Sequence, residues 1–277
     1  MSQAKSKHAV ETIVDAGLWE AFVDGINEIG TKNEAVFEFS EGGLRVALKD
    51  AANVALIAME CDPDAFEHFA VGGEGAIGVN TSKFADLLDV ASGDDPVKFH
   101  LNAETRKFEF KANGVEYELA GIDADSVSGS PTEIPPVKDA DDLPGGKSYS
   151  VDVELPVEKW STGCDVVELA GSGHGTFVYD PDRPGDFALE GKGDTDTSRV
   201  VLSDHDAFEW NEDEPDVRVE DVQSNDYMPE VVSVLEDGDD DVVRFVTGHE
   251  LPFHTWTSHA DGRIDTKLMQ APRIVSD

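Results

Sequence analysis

The sequence runs through one order of hydrophobic patterns, a strand, a helix and three strands, four times in succession. A supersecondary unit that recurs constrains the fold more than any single residue, because such units build rings or arrays. Residues 8–14 read as the first strand, and Trp19, Phe22, Ile26 and Ile29 follow at helical spacing. Residues 35–39 and 44–48 alternate around Glu41-Gly42-Gly43 as a hairpin, and 54–61 form a third, more apolar strand. The second unit has 77–79 as its strand and Asn80-Thr81-Ser82 as the helix N-cap region. Phe84, Leu87, Leu88 and Ala91 lie on one face of its helix, and 97–101, 107–111 and 115–119 are its strands. Asn113-Gly114 is the tight turn between the last two.

The second half repeats this. Residues 148–154 read as a strand, and Val157, Trp160, Cys164 and Val167 as a helical face; strands are expected at 176–179, 186–190 and 199–202. Residues 216–222 form the next strand. A helix with Tyr227, Val231 and Val234 in register follows, tolerating Pro229 only in its first turn. Strands at 242–247, 251–257 and 263–270 close the chain, the last two joined through Ala260-Asp261-Gly262. Between the halves, residues 123–148 are rich in Pro, Gly, Ser and Asp and show neither period, which marks a connector. Val127 and Ile134 interrupt its polarity, so it is expected to be pinned to the surface beneath or to line a site there.

Asp and Glu number 59 against 21 Lys and Arg, a net charge of −38. Periodic apolar runs exclude an acidic disordered chain. Self-repulsion of this size strains a compact state in dilute salt and is screened once the Debye length falls to ~3 Å near 1 M. A protein of a high-salt cytoplasm is therefore expected. Cys61 and Cys164 sit in different halves and read as reduced core thiols. The first twelve residues lack the apolar stretch of a signal peptide, and no run approaches a membrane span.

Catalytic signatures are poor. The sequence has no GxxxxGK[ST], HExxH or GxSxG. Gly171-Ser172-Gly173-His174-Gly175 leads into a strand and reads as a turn rather than a phosphate cradle. His249, His254 and His259 recur at steps of five, which on a strand sends neighbours to opposite faces, so exposed strand histidines are expected and not a metal site. Residues 237–241 lack the calcium-loop pattern. No catalytic residue, metal ligand or cofactor is expected.

One terminal motif is informative. The chain ends Met269-Gln270-Ala271-Pro272-Arg273-Ile274-Val275-Ser276-Asp277. With it go Gly78-Val79-Asn80, Glu104-Thr105-Arg106-Lys107, Ile122-Asp123-Ala124-Asp125-Ser126-Val127 and Gly191-Lys192-Gly193-Asp194-Thr195-Asp196, in that order along two doubled halves. In these motifs the chain resembles the proliferating cell nuclear antigen family of DNA sliding clamps, most of all its haloarchaeal members. The resemblance spans essentially the whole chain and is weakest over 156–245.

The resemblance implies an α+β DNA-clamp fold with an N-terminal clamp domain at 1–122, a connector at 123–148 and a C-terminal clamp domain at 149–277. It implies a non-enzymatic homotrimeric ring, helices inside and antiparallel sheets outside, that encircles duplex DNA. Strand 115–119, with Val115, Tyr117 and Leu119, would pair with 186–192 of the next subunit, with Phe187 and Leu189. DNA polymerase, the clamp loader and other clients would dock a short motif with a Gln and aromatic anchors. By position the docking residues are Val54, Leu56, Val127, Leu251, Pro252, Met269, Ala271, Pro272 and Arg273; read as residues alone they are ordinary core and turn positions. The cell implied is archaeal, with the protein in its cytoplasm.

One departure stands out. Clamps of this family carry Lys and Arg on the channel side of their helices, and here Lys83 and Lys159 are the clear basic residues, with Asp86, Asp89 and Asp165 where basic ones are expected. Two other readings stay open: the same fold as a heterotrimer subunit or checkpoint-type clamp, and a carboxylate-based metal hydrolase. A virus-encoded or paralogous copy is compatible with the extended connector.

Overall fold

In the computed structural model, residues 10–273 are described, apart from 31–32, 92, 103–104, 131, 138–146, 184–185 and 203–217. Parts of the expected first strand, of 216–222, of the connector and of the terminal motif, together with Glu104, therefore lie outside the described residues.

The chain divides into two units. Unit 1 holds Met1–Ala52, Leu56–Glu133 and Ser258–Thr266; unit 2 holds Asn53–Ala55, Ile134–Thr257 and Lys267–Asp277. The division falls inside the connector, between Glu133 and Ile134, and each unit takes a short piece from the other half of the sequence.

Unit 1 runs β1 (Val10–Asp15), α1 (Ala16–Ile29), β2 (Glu34–Ser40), β3 (Gly43–Lys49), β4 (Ala55–Cys61), β5 (His68–Val71), β6 (Gly75–Asn80), α2 (Thr81–Leu88), β7 (Pro96–Asn102), β8 (Lys107–Ala112) and β9 (Val115–Ala120). Strand order is β5-β1-β7-β8-β9 in one sheet, while β4, β3, β2 and β6 lie in that order in another. All pairings given for these strands are antiparallel. The helices begin where the sequence supplies caps: Asp15 Oδ1 accepts the Leu18 N–H at 3.0 Å, and Asn80 Oδ1 accepts that of Lys83 at 2.8 Å. Asp15 is itself held by the Arg263 guanidinium, which keeps its carboxyl below the usual range. Asn113 and Gly114 both take positive φ, as the two-residue hairpin turn requires. Strand β5, absent from the sequence reading, is four residues long and only partly covered, so it leaves no alternating pattern to read.

Unit 2 repeats the order: β10 (Val151–Pro156), α3 (Val157–Leu169), β11 (His174–Tyr179), β12 (Phe187–Lys192), β13 (Thr197–Val201), β14 (Val219–Ser224), α4 (Met228–Glu236), β15 (Val242–Thr247), β16 (Phe253–His259) and β17 (Ile264–Gln270). Its sheets run β13-β12-β11-β14 and β10-β15-β16-β17. Pro229 falls in the first turn of α4, where its missing N–H costs nothing.

The two cores are built alike. Trp19, fourth residue of α1, is fully buried with ring centroids of Phe84 and Phe99 at 5.4 and 5.2 Å. Trp160, fourth residue of α3, is fully buried against Phe177, Phe245 and Phe253 at 5.7, 5.2 and 5.4 Å. Each indole joins its helix to the sheet beneath, and each aromatic pair contributes about 1 kcal/mol beyond the area it buries.

Candidate functional site

The connector is fastened to unit 1 over its first ten residues. Ile122 bridges to Gly78. Val127, 5% exposed, lies on Gly78, where a Cβ would come within 2.6 Å of Val127 Cγ2. Only glycine permits that approach, so Gly78 belongs to the connector's seat. Gly129 C=O accepts the Lys49 N–H at 3.0 Å. Ser130 inserts between β2 and β3: its Oγ accepts the Val36 N–H at 3.0 Å and donates to the Ala47 C=O at 2.8 Å. Arg45 donates to the Thr132 C=O at 2.9 Å. Val127 is thus a buried anchor, and in unit 1 Leu56 is also buried on β4, opposite Lys49. No sequence signal marked Ser130, because a single Ser in a polar connector looks like its neighbours.

In unit 2 the end of the chain is equally fixed. The Ala271 N–H donates to the Val54 C=O at 2.8 Å, and the Arg273 N–H to the Val222 C=O at 2.7 Å. Gln270 Nε2 donates to the Ser224 C=O at 3.1 Å, and Arg273 Nη1 to the Gly173 C=O at 3.2 Å. The tail therefore runs along β14 on its backbone hydrogen bonds. Leu251 and Met269 are buried, Pro252, Ala271 and Pro272 half-buried, and Arg273 exposed. The root of the connector sits on the same unit: Lys147 pairs with Glu250 at 2.9 Å, and the Tyr149 hydroxyl is 3.1 Å from His254 Nε2.

The assembly residues divide differently from the sequence reading. Strand β9 pairs with β8 alone and ends its sheet, with Val115 exposed and Tyr117 47% exposed, while Leu119 is buried. Strand β12 is not an edge. It lies between β11 and β13, paired to both, and Phe187 and Leu189 are fully buried. With both sides of its backbone used, it cannot accept a strand from another subunit. Among the described residues that sheet ends in β13, where Val201 is 39% exposed, and in β14, whose Val222 C=O accepts the Arg273 N–H.

The helix faces are acidic. Lys83 and Asp86 are exposed on α2; Asp24 and Glu28 on α1; Glu158, Asp165 and Glu168 on α3, with Lys159 half-buried; Glu236 on α4. Partial burial raises the Glu20 carboxyl above its usual range, and the nearby charges of Asp24, Asp89 and Asp15 raise it further. The expectation of exposed strand histidines is corrected: His254 and His259 are buried on β16, and burial pushes His254 down to about 4. His249 lies before β16 with Nδ1 3.0 Å from the Glu220 C=O. Among the described residues no three His, Cys, Asp or Glu side chains are disposed to hold a metal ion. Burial pushes both thiols, Cys61 and Cys164, up to about 12, which suits inert core positions.

One buried polar group escaped the sequence reading. Asp221 on β14 is fully buried; Gln223 Nε2 donates to its Oδ1 and Thr247 Oγ1 to its Oδ2, both at 2.7 Å. Burial pushes its carboxyl up to about 7 against those two donors.

Doubled strand–helix units, antiparallel sheets and a mid-chain connector define a clamp-fold protein, and the comparisons agree. Residues 11–126 match the family model for the proliferating cell nuclear antigen N-terminal domain. The DNA polymerase sliding clamp of Natronomonas pharaonis is 29% identical over 269 residues, 96% of this chain and 99% of that one. That of Haloarcula marismortui is 29% identical over 267 residues, 96% and 98% of the two chains. A structure of the C-terminal region of FEN-1 bound to A. fulgidus PCNA superposes with a TM-score of 0.79 at 23% identity, over 97% of this chain and 100% of that one. PCNA from Thermococcus kodakaraensis gives 0.75 at 20% identity, over 95% and 100%. This chain has the α+β clamp fold, and over nearly its whole length it is similar to DNA polymerase sliding clamps, with its first half matching the proliferating cell nuclear antigen family.

Proposed function

We propose that this chain is a DNA sliding clamp: a homotrimeric ring that encircles duplex DNA and tethers DNA polymerase and other replication and repair proteins. The observation that carries the reading is the pair of free edges, β9 in unit 1 and β13 in unit 2. Among the described residues each has one backbone edge without a partner strand and carries exposed apolar side chains, Val115 and Tyr117 on one and Val201 on the other. Two different edges on one chain make a head-to-tail interface, and such an interface either closes into a ring or grows without limit. Closure also removes the aggregation hazard of open strands. The full-length match to curated sliding clamps supports the ring.

The proposed partners dock a short motif with a Gln and aromatic anchors on the residues named for that role. The A. fulgidus relative is bound to the C-terminal region of FEN-1, which supports a client-protein partner here. The acidic helix faces offer phosphates little beyond Lys83 and Lys159, so the ring stays on DNA by topology, with potassium ions between carboxylates and phosphates. Lys–phosphate contacts fall steeply with salt, so in a high-salt cytoplasm their loss costs little. The chemistry asked of the protein is positional; the family is one of processivity factors, not enzymes.

The test is polymerase extension of primed circular DNA in about 1 M KCl with clamp loader present. Long products are expected with the protein and short ones without it. No stimulation under loading conditions overturns the reading. Sedimentation of the lone chain in the same salt is expected to give a trimer; a strict monomer points to a heterotrimer subunit.

A further inference from the structure

In unit 2, β15 and β16, which are followed in their sheet by β17, turn Phe245 and Phe253 toward Trp160 of α3. The opposite face of the same strands carries an ordered lattice. In one row Asp152, Val246 and His254 are cross-strand neighbours, all buried, with the Tyr149 ring over His254 at 5.5 Å. In the next row Glu154, Arg244 and Trp256 are neighbours, and Arg244 is exposed. The Arg244 guanidinium lies 5.1 Å from the Trp256 ring, and Lys267 Nζ on β17 lies 5.8 Å from it. Asp152 holds Arg244 by two hydrogen bonds of 2.9 and 2.5 Å, and Lys267 is exposed. One indole thus stands between two cations on a chain of net charge −38.

Trp and Arg are among the residues that most often dominate binding energy at interfaces, and Lys267 adds a second cation beside the indole. The strands that carry it are those of the docking residues: β16 follows Leu251-Pro252, and β17 leads into Ala271-Pro272-Arg273. We propose that the row Arg244–Trp256–Lys267 is a second docking surface, which takes an acidic, extended segment flanking the docking motif of a client. The inference rests on the docking role given above. The occupant follows from charge complementarity: a carboxylate reaches Lys267 while the aliphatic part of an adjoining side chain lies along the edge of the indole. At about 1 M salt only such direct contacts survive screening, so recognition is by fit and not by long-range attraction. Single-stranded nucleic acid also stacks on aromatics between cations, but its phosphate contacts weaken most in such salt.

The test uses the full chain in about 1 M KCl and follows the fluorescence anisotropy of dye-labelled peptides. The probes are a peptide with one Gln and two aromatic anchors, the same peptide with a Glu-rich extension at either end, and versions with Gln for each Glu. One Glu-extended peptide is expected to bind about fivefold tighter than the bare one, the gain of an exposed cation contact. Lys267→Glu is expected to abolish that gain and leave the bare peptide's affinity unchanged, as is Trp256→Ala if its melting curve matches the parent's. Equal binding of Glu and Gln extensions, or a gain that survives Lys267→Glu, overturns the proposal. Failure of the bare peptide to bind overturns the docking reading itself, and this inference with it. Displacement of the Glu-extended peptide by oligothymidylate at similar concentration shows a nucleic-acid surface and overturns the peptide assignment.

Discussion

Asp221 is the residue whose environment most opposes its chemistry. Burial favours the protonated form, and the donors Thr247 and Gln223 offset only part of that, so its carboxyl stands near 7 against an ordinary value of 3.8. The linkage has a definite sign. The folded state binds a proton that the unfolded state has released, so stability falls as pH rises from about 4 to about 7 and is flat above. Three pH units correspond to a loss on the order of 4 kcal/mol. Asp221→Asn keeps the shape and removes the titration, and Thr247 and Gln223 can each reverse a hydrogen bond to suit it. The variant is expected to melt well above the parent at pH 8 and close to it at pH 4.5, in denaturation followed in about 1 M KCl. Equal gaps at both pH values would show that Asp221 does not titrate as its burial implies. His254 acts in the opposite sense: held near 4 by burial, it costs stability as pH falls below about 6.5, and it leaves Asp221→Asn more acid-sensitive than the parent. None of this was legible in the sequence, where an Asp at an inward strand position of an acid-rich chain looks like every other Asp.

Elements were more legible than sites. Both buried tryptophans and the Asn80 cap of the second helix fell where period and cap chemistry placed them, because such signals are local. The choice of free edge is not local. Strands β12 and β13 are both short and mix apolar with polar residues, and only their order in the sheet makes one an edge. Tyr117→Asp on β9 and Val201→Asp on β13 are expected to give folded monomers, seen by sedimentation and circular dichroism in high salt. Leu189→Asp on β12 is expected to unfold unit 2, since it buries a charge in a filled core at a cost of several kcal/mol. A folded monomer from Leu189→Asp would restore β12 as the contact strand. The connector offers a second test at this scale. Ser130→Ala strands the Val36 N–H and the Ala47 C=O, two backbone groups the hydroxyl now serves. A loss of about 2 kcal/mol is expected, with faster amide exchange at Val36. Unchanged exchange would mean that the strap is held without it.

At the scale of the whole molecule, charge decides. A net −38 on 277 residues is carried on surfaces that include the exposed faces of the helices. Thermal melts are expected to rise steeply between about 0.1 and 1 M KCl as the Debye length shortens from ~10 to ~3 Å; equal stability without salt would sink the high-salt reading. DNA retention separates this clamp from ordinary DNA-binding proteins. Where Lys and Arg hold phosphates, affinity falls as salt rises, because condensed counterions are released on binding. Carboxylates facing phosphates displace no condensed counterions from DNA and repel more as salt falls. Rings loaded on nicked circular DNA are therefore expected to stay on it in about 1 M KCl and to leave at once when the circle is linearised. Short linear duplex is expected not to bind at any salt concentration. Tight binding of the isolated ring to linear duplex at high salt would mean that contacts, and not closure, hold it there.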